Sequence, residues 1–151
     1  MAIRLTFHGA AETVTGSKYL LEVDDTAVLF DCGLFQGKQA YVDDWNRNFL
    51  FNPAEINCVV LSHAHIDHCG RLPKLVKEGF NGKIFCTPAT KDLSEVMLLD
   101  SGHIQEKDSE YHNKLRTKKK LPPLDPLYTA QDVAAVLPLM FGVKYEEKFS
   151  I

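Results

Sequence analysis

The sequence predicts an α/β domain, and three observations carry that prediction. Short runs of β-branched and aromatic residues recur along the chain, each bounded by polar or glycine punctuation. Between the later runs lie segments with apolar residues at helical spacing, opened by N-cap and proline signals. The composition is that of a globular chain: 151 residues, 45% hydrophobic and 25% charged, enough for one domain with a real core.

Taken in order, Ile3-Arg4-Leu5-Thr6-Phe7 alternates apolar and polar residues and predicts a first strand. A Gly/Ala/Thr-rich loop, residues 9–16, follows. Tyr19-Leu20-Leu21-Glu22-Val23 and Ala27-Val28-Leu29-Phe30 predict a hairpin across Asp24-Asp25, and the third strand runs out at Asp31-Cys32-Gly33. Residues 37–48, polar with aromatic interruptions, predict an irregular helix or a lid loop. Asn57-Cys58-Val59-Val60-Leu61-Ser62 reads as a buried strand.

Beyond it, Leu72, Leu75 and Val76 repeat at helical spacing and Gly79 ends that helix. Lys83-Ile84-Phe85-Cys86 predicts another strand. Thr87-Pro88 then places a capping side chain before a first-turn proline, and Leu93, Val96, Met97 and Ile104 share one face of a long helix reaching toward Tyr111. Leu121-Pro122-Pro123-Leu124-Asp125-Pro126 is a stiff connector. Thr129, with Asp132 three residues on, caps a helix expected to reach Met140, and residues 143–151 have strand character.

The chemistry is concentrated in His63-Ala64-His65-Ile66-Asp67-His68, three imidazoles and a carboxylate in six positions at the end of a strand. Open sheets place their functional groups at strand ends. Imidazole nitrogen and carboxylate oxygen suit Zn²⁺, Fe²⁺ or Mn²⁺. In an extended stretch His63 and His65 point the same way, and Asp67 and His68 follow at a turn. The pattern outlines a dinuclear metal site. A structural zinc site is disfavoured, because such sites prefer cysteine and no cysteine pair stands at ligand spacing.

At these residues the chain resembles the metallo-β-lactamase superfamily, whose HxHxDH motif is matched from His63 to His68. Asp31 in Phe30-Asp31-Cys32-Gly33 matches that family's upstream aspartate. Asp100-Ser101-Gly102-His103-Ile104-Gln105-Glu106, Pro126-Leu127-Tyr128-Thr129 and Gly9-Ala10-Ala11 with Val14-Thr15-Gly16-Ser17 resemble the β-CASP branch of RNA-processing metallohydrolases. The resemblance implies the N-terminal half of an αββα sandwich, a mixed sheet with helices on one face, lacking the β-CASP cap. It makes residues 1–151 a partial metallo-β-lactamase domain. It implies two zinc ions, with iron or manganese as alternatives, held by His63 and His65 on one side and by Asp67 and His68 on the other.

By the same resemblance Asp67 would orient a metal-activated hydroxide, and Asp31 would fix an imidazole tautomer. The substrate implied is RNA, cut at a phosphodiester. The family's later histidines and bridging aspartate have no match here, so the isolated chain is expected to have little or no hydrolase activity. A thioester- or lactone-cleaving enzyme of the same fold is the alternative. A non-catalytic scaffold or a split subunit, completed by self-association or by a partner, is another. His103, His8 and His112 are expected to be structural or solvated.

Net charge is −3, with the negative excess confined to the first half. The basic run Lys114, Arg116, Lys118, Lys119 and Lys120 reads as a solvated loop rather than a nucleic-acid patch. Cys32, Cys58, Cys69 and Cys86 are scattered and read as buried thiols, with Cys69 touching the histidine cluster in sequence. No run approaches the ~18 apolar residues of a membrane span, and the N-terminus lacks a signal-peptide core, so a cytoplasmic address is expected.

Overall fold

A computed structural model describes residues 2–38 and 40–151; Met1, and Gln39 within the 37–48 segment, lie outside the described residues. Six strands form one mixed sheet in sequential order: β1 (Ile3–Gly9), β2 (Lys18–Val23), β3 (Thr26–Phe30), β4 (Cys58–Val60), β5 (Lys83–Cys86) and β6 (Met140–Gly142). The first three pair antiparallel, whereas β3 through β6 are parallel. Parallel neighbours need crossovers, and helices supply the later ones. These are α2 (Ile66–Cys69) and α3 (Leu72–Lys77) before β5, then α4 (Pro88–Lys118) and α5 (Ala130–Val133) before β6; α1 (Ala40–Arg47) lies earlier, between β3 and β4.

Strand alternation decides the two faces of the sheet. Leu20, Leu29, Val59, Ile84 and Met140 point to the helical side, where they pack with Leu72, Leu75, Leu98, Tyr128 and Val133 in one core. The opposite face carries Val28, Cys58 and Phe85, covered thinly by Val143 and by Phe149, whose ring lies 4.6 Å from that of Phe85. Farther along this face Ile3, Leu5, Phe7, Phe30 and Phe141 are exposed. Helices on one face of a mixed sheet is the arrangement expected from the sequence.

The capping signals act as the sequence suggests. Thr87 accepts from the Thr90 N–H at 3.2 Å with Pro88 in the first turn, and Thr129 forms a complete capping box with Asp132. Three elements differ from expectation. The helix begun at Thr129 lasts only to Val133: Ala134, Ala135 and Val136 donate three residues back, to Gln131, Asp132 and Val133, and the chain continues through a 3₁₀ turn, Leu137–Leu139. The last strand is Met140–Gly142, not residues 143–151. Helix α4 runs on to Lys118, so Lys114, Arg116 and Lys118 lie on a helix rather than a loop.

The segments around Ser101 and Tyr128 meet. Tyr128 is fully buried and its hydroxyl donates to Ser101 Oγ at 2.7 Å, while a Cβ on Gly102 would stand 2.8 Å from the Ala130 nitrogen. They form a close crossing of α4 and α5 on the helical side. Among the described residues no helix is long and apolar enough to cross a membrane.

Candidate metal centre

The histidine cluster lies at the carboxyl ends of parallel strands β3 and β4, where open sheets gather functional groups. Asp31 is the first residue after β3; residues 61–65 lead from β4 into the single turn of α2. Asp67 and His68 therefore stand on a short helix, not on the open turn expected, while His63 and His65 precede it in irregular backbone. The last carbonyls of a helix need outside donors. Here Ser17 N–H donates to Asp67 O at 2.9 Å, Cys32 N–H to His68 O at 2.7 Å, and Leu34 N–H to Ile66 O at 3.0 Å. Those three bonds tie α2 to the segments after β3 and before β2. Gly33 permits the approach, since a Cβ there would fall 1.5 Å from the Asp67 carbonyl oxygen.

Asp31 is the hub. Its backbone turns through φ +60°, a conformation that Asp tolerates better than most residues, and it is 5% exposed. Oδ1 accepts from the Ser62 N–H at 2.8 Å; Oδ2 accepts from Ser17 Oγ at 3.1 Å, Ser62 Oγ at 2.9 Å and His68 Nδ1 at 2.7 Å. A carboxylate only accepts, so the His68 proton sits on Nδ1 and Nε2 keeps a free lone pair. The single Ser62 hydroxyl proton is committed to Asp31. His63 Nδ1, 3.0 Å from Ser62 Oγ, must then donate to that oxygen, which frees its Nε2 as well.

The rings converge, with centroids 4.0 Å apart for His63 and His68 and 4.6 Å for His63 and His65. Asp67 Oδ2 lies 3.6 Å from His68 Nε2. Burial, then the neighbouring His68 and His65 imidazoles, lowers the His63 pKa and favours its neutral, ligating form. Three imidazoles with at least two free Nε2 atoms and an adjacent carboxylate fit a borderline dication by donor type. Among the described residues, however, no three His, Cys, Asp or Glu side chains stand as a ready metal-holding group.

His103 and His112 are exposed on α4, and His8 is half-buried against Phe51, so none of the three joins the cluster. Cys69 is fully buried, its thiol donating to Ala64 O at 3.3 Å, and burial pushes its pKa up to about 12. It braces the histidine loop as a thiol. Sequence reading missed Ser17 and Ser62 as partners of Asp31. Both stood within quoted segments, but bonds formed across 14 and 31 residues leave no local signature.

A sequence profile of the metallo-β-lactamase superfamily matches residues 13–95. The chain belongs to that superfamily, whose members usually bind metal ions. A ribonuclease of Thermus thermophilus is 46% identical over 99 residues, covering 66% of this chain and 22% of its own length. The transcription termination factor FttA of Methanosarcina mazei is 31% identical over 150 residues, covering 96% of this chain and 21% of its own. Cleavage and polyadenylation specificity factor subunit 3-II of Arabidopsis thaliana is 36% identical over 110 residues, covering 66% of this chain and 17% of its own length.

These names agree with the β-CASP RNA-processing branch that the sequence resembles. The chain spans about a fifth of the length of the curated relatives it matches. Among solved structures, the metallo-β-lactamase fold protein YhfI of Bacillus subtilis aligns over 66% of this chain and 42% of its own, at 24% identity and a TM-score of 0.43.

Proposed function

We propose that residues 1–151 form the N-terminal part of a cytoplasmic, metal-dependent hydrolase acting on RNA phosphodiesters. The observation that carries this reading is the pinning of His68 and His63, through Asp31 and Ser62, with both Nε2 atoms left free. His63 and His65 would hold one zinc ion, and Asp67 and His68 a second; iron or manganese suits the same donors. A bound dication supplies Lewis-acid polarisation of a phosphoryl oxygen and activation of a water nucleophile. Asp31 contributes by orientation, since a carboxylate on the far nitrogen keeps a ligating imidazole in one tautomer and one direction. Asp67, partly exposed beside His68, is the group we assign to hold or move a proton at the attacking water. RNA is the substrate class favoured by the names of the relatives.

Two ligands per ion are fewer than the three protein ligands usual at catalytic zinc, so the site is read as half of a larger one. The exposed sheet face bearing Ile3, Leu5 and Phe7 favours a second apolar sheet as its cover, brought by a partner or a second copy. Zinc titration by calorimetry should give a binding heat that His63→Ala and His68→Ala both abolish; identical heats in all three proteins would remove the metal-site reading. Cleavage of labelled RNA by the pure 151-residue chain, beyond a His63→Ala control, would instead overturn the half-site reading.

A further inference from the structure

A cleft of about 380 Å³ opens on the helical side of the sheet beside β1, within the ~300–1,000 Å³ range of small-molecule sites. Its walls include Phe35, Trp45, Phe49 and Phe51, and none of its lining residues belongs to the histidine cluster. Two of the lining residues are cations, Lys18 and Arg71, exposed by only 2% and 1%. Long cations are rarely buried to that degree unless paired, yet among the described residues neither makes an ion pair with a carboxylate.

Their bonding leaves capacity unspent. The Lys18 ammonium donates to Gly16 O at 2.8 Å and Gly33 O at 2.9 Å, and stands 4.1 Å from the Phe35 ring centre. When protonated, this ammonium has three hydrogens to donate, and a phosphate beside it would favour that form against the burial that lowers its pKa. Arg71 lies 3.7 Å over the Phe49 ring and donates one hydrogen to Asn48 O at 3.0 Å, but its Nε is buried with no acceptor. Buried donors are nearly always satisfied, so this orphan N–H on a residue lining the cleft points to a ligand atom that accepts. Asp44, the acidic residue at the cleft, is engaged by Asn48 Nδ2 at 2.8 Å.

We propose that this cleft is a nucleotide-binding site, with the base against the aromatic wall and a phosphate oxygen accepting from Arg71 and Lys18. Flat aromatic faces take a base of any identity, and guanidinium and ammonium donors are the usual partners of phosphate. The inference goes beyond the metal-centre reading and does not rest on it. A free nucleotide and a nucleotide unit within a strand share this chemistry.

Trp45 is the sole tryptophan, lines the cleft and is partly exposed, so its emission reports occupancy directly. Titration with AMP at fixed ionic strength should quench it saturably, with a Kd of about 10 μM to 1 mM, and adenosine or inorganic phosphate should bind at least about tenfold more weakly. A short oligoadenylate bound with the same variant dependence identifies the source as a strand; binding of AMP alone identifies it as a free nucleotide. Arg71→Met and Lys18→Met should each weaken AMP by about tenfold or more. Should either fail to fold, Leu50→Asp sets a carboxylate on the exposed lip of the cleft and should weaken AMP several-fold while sparing adenosine.

His63→Ala should leave AMP binding unchanged. Absence of a saturable change up to about 10 mM AMP, equal affinity for adenosine and AMP, or loss of binding in His63→Ala would each overturn the proposal.

Discussion

Asp31 Oδ2 and His68 Nδ1 stand 2.7 Å apart, across 37 residues of sequence, and that contact decides which nitrogen of His68 faces outward. The carboxylate accepts, the Nδ1 proton is fixed, and Nε2 is left basic beside Asp67. In Asp31→Asn the amide would donate toward His68 instead, driving the proton to Nε2 and spoiling the ligand atom. Asn tolerates the φ of +60°, so the fold should survive. Zinc affinity should fall by about 10–100-fold, the usual cost of losing an imidazole's orienting partner. Competition against a chromophoric chelator measures it, and an unchanged affinity would show that Asp31 has no orienting role.

Ser62 extends the same logic to His63. Its hydroxyl gives its proton to Asp31 at 2.9 Å and receives the His63 Nδ1 proton at 3.0 Å. Ser62→Ala removes the relay but keeps the Ser62 N–H bond to Asp31, which is a backbone contact. Zinc affinity should drop by about tenfold. The discriminating measurement is the imidazole ¹⁵N spectrum: His63 should lose its single Nδ1–H tautomer while His68 keeps it.

These contacts mark where sequence reading stops. The strands were legible because short apolar runs and apolar–polar alternation are local, as at Lys83–Cys86 and Ile3–Gly9, and the cap at Thr87 was legible because its acceptor and donor lie three residues apart. The clustering of His63, His65, Asp67 and His68 was also visible, since all four side chains fall within six positions. The tautomers of His63 and His68 were not, because they depend on Asp31, Ser17 and Ser62, which meet only after β2, β3 and β4 have paired. Lys18 and Arg71 were hidden for the same reason. One occupies a strand position and the other precedes a helix, so nothing in their neighbours foretells burial. The end of the chain misled because the bonding tightens to three-residue turns from Ala134 onward, a change that the apolar pattern between Thr129 and Met140 does not display.

Gly33 is the packing point on which the centre's geometry turns. Its N–H donates to Ser17 O at 3.0 Å and its carbonyl accepts from Lys18, while its α-carbon abuts the Asp67 backbone. In Gly33→Ala the added methyl would lie 1.5 Å from Asp67 O, so α2 must move away from the segment after β3. We expect a loss of at least about 3 kcal/mol, in the range of the most damaging single substitutions. Gly142→Ala, whose methyl would meet the Pro88 side chain at 3.3 Å, is the matched control and should cost far less. Urea unfolding of the two variants decides the point, and equal midpoints would mean that the Gly33 contact yields easily.

Lys18 gives stability a pH dependence of defined sign. Burial and the nearby Arg71 guanidinium push its pKa down from 10.5 to about 7, although two carbonyls and the Phe35 ring face support the charge. Between those values the unfolded chain holds a proton that the folded chain has shed, so stability rises with pH through the window and is lost as pH falls toward 7. The buried thiols act oppositely: Cys32 and Cys86, raised from 9.0 to about 11, favour the fold at low pH and withdraw that support as pH climbs from 9 to 11. Comparing the native chain with Lys18→Met at pH 6.5 and 9 cancels the thiols. The native chain should gain about 1–3 kcal/mol on the variant between those two pH values, a bound set by the shift and reduced by the charge-supporting contacts. A difference between the two proteins that does not change with pH would mean that Lys18 stays charged throughout, held by Gly16, Gly33 and Phe35.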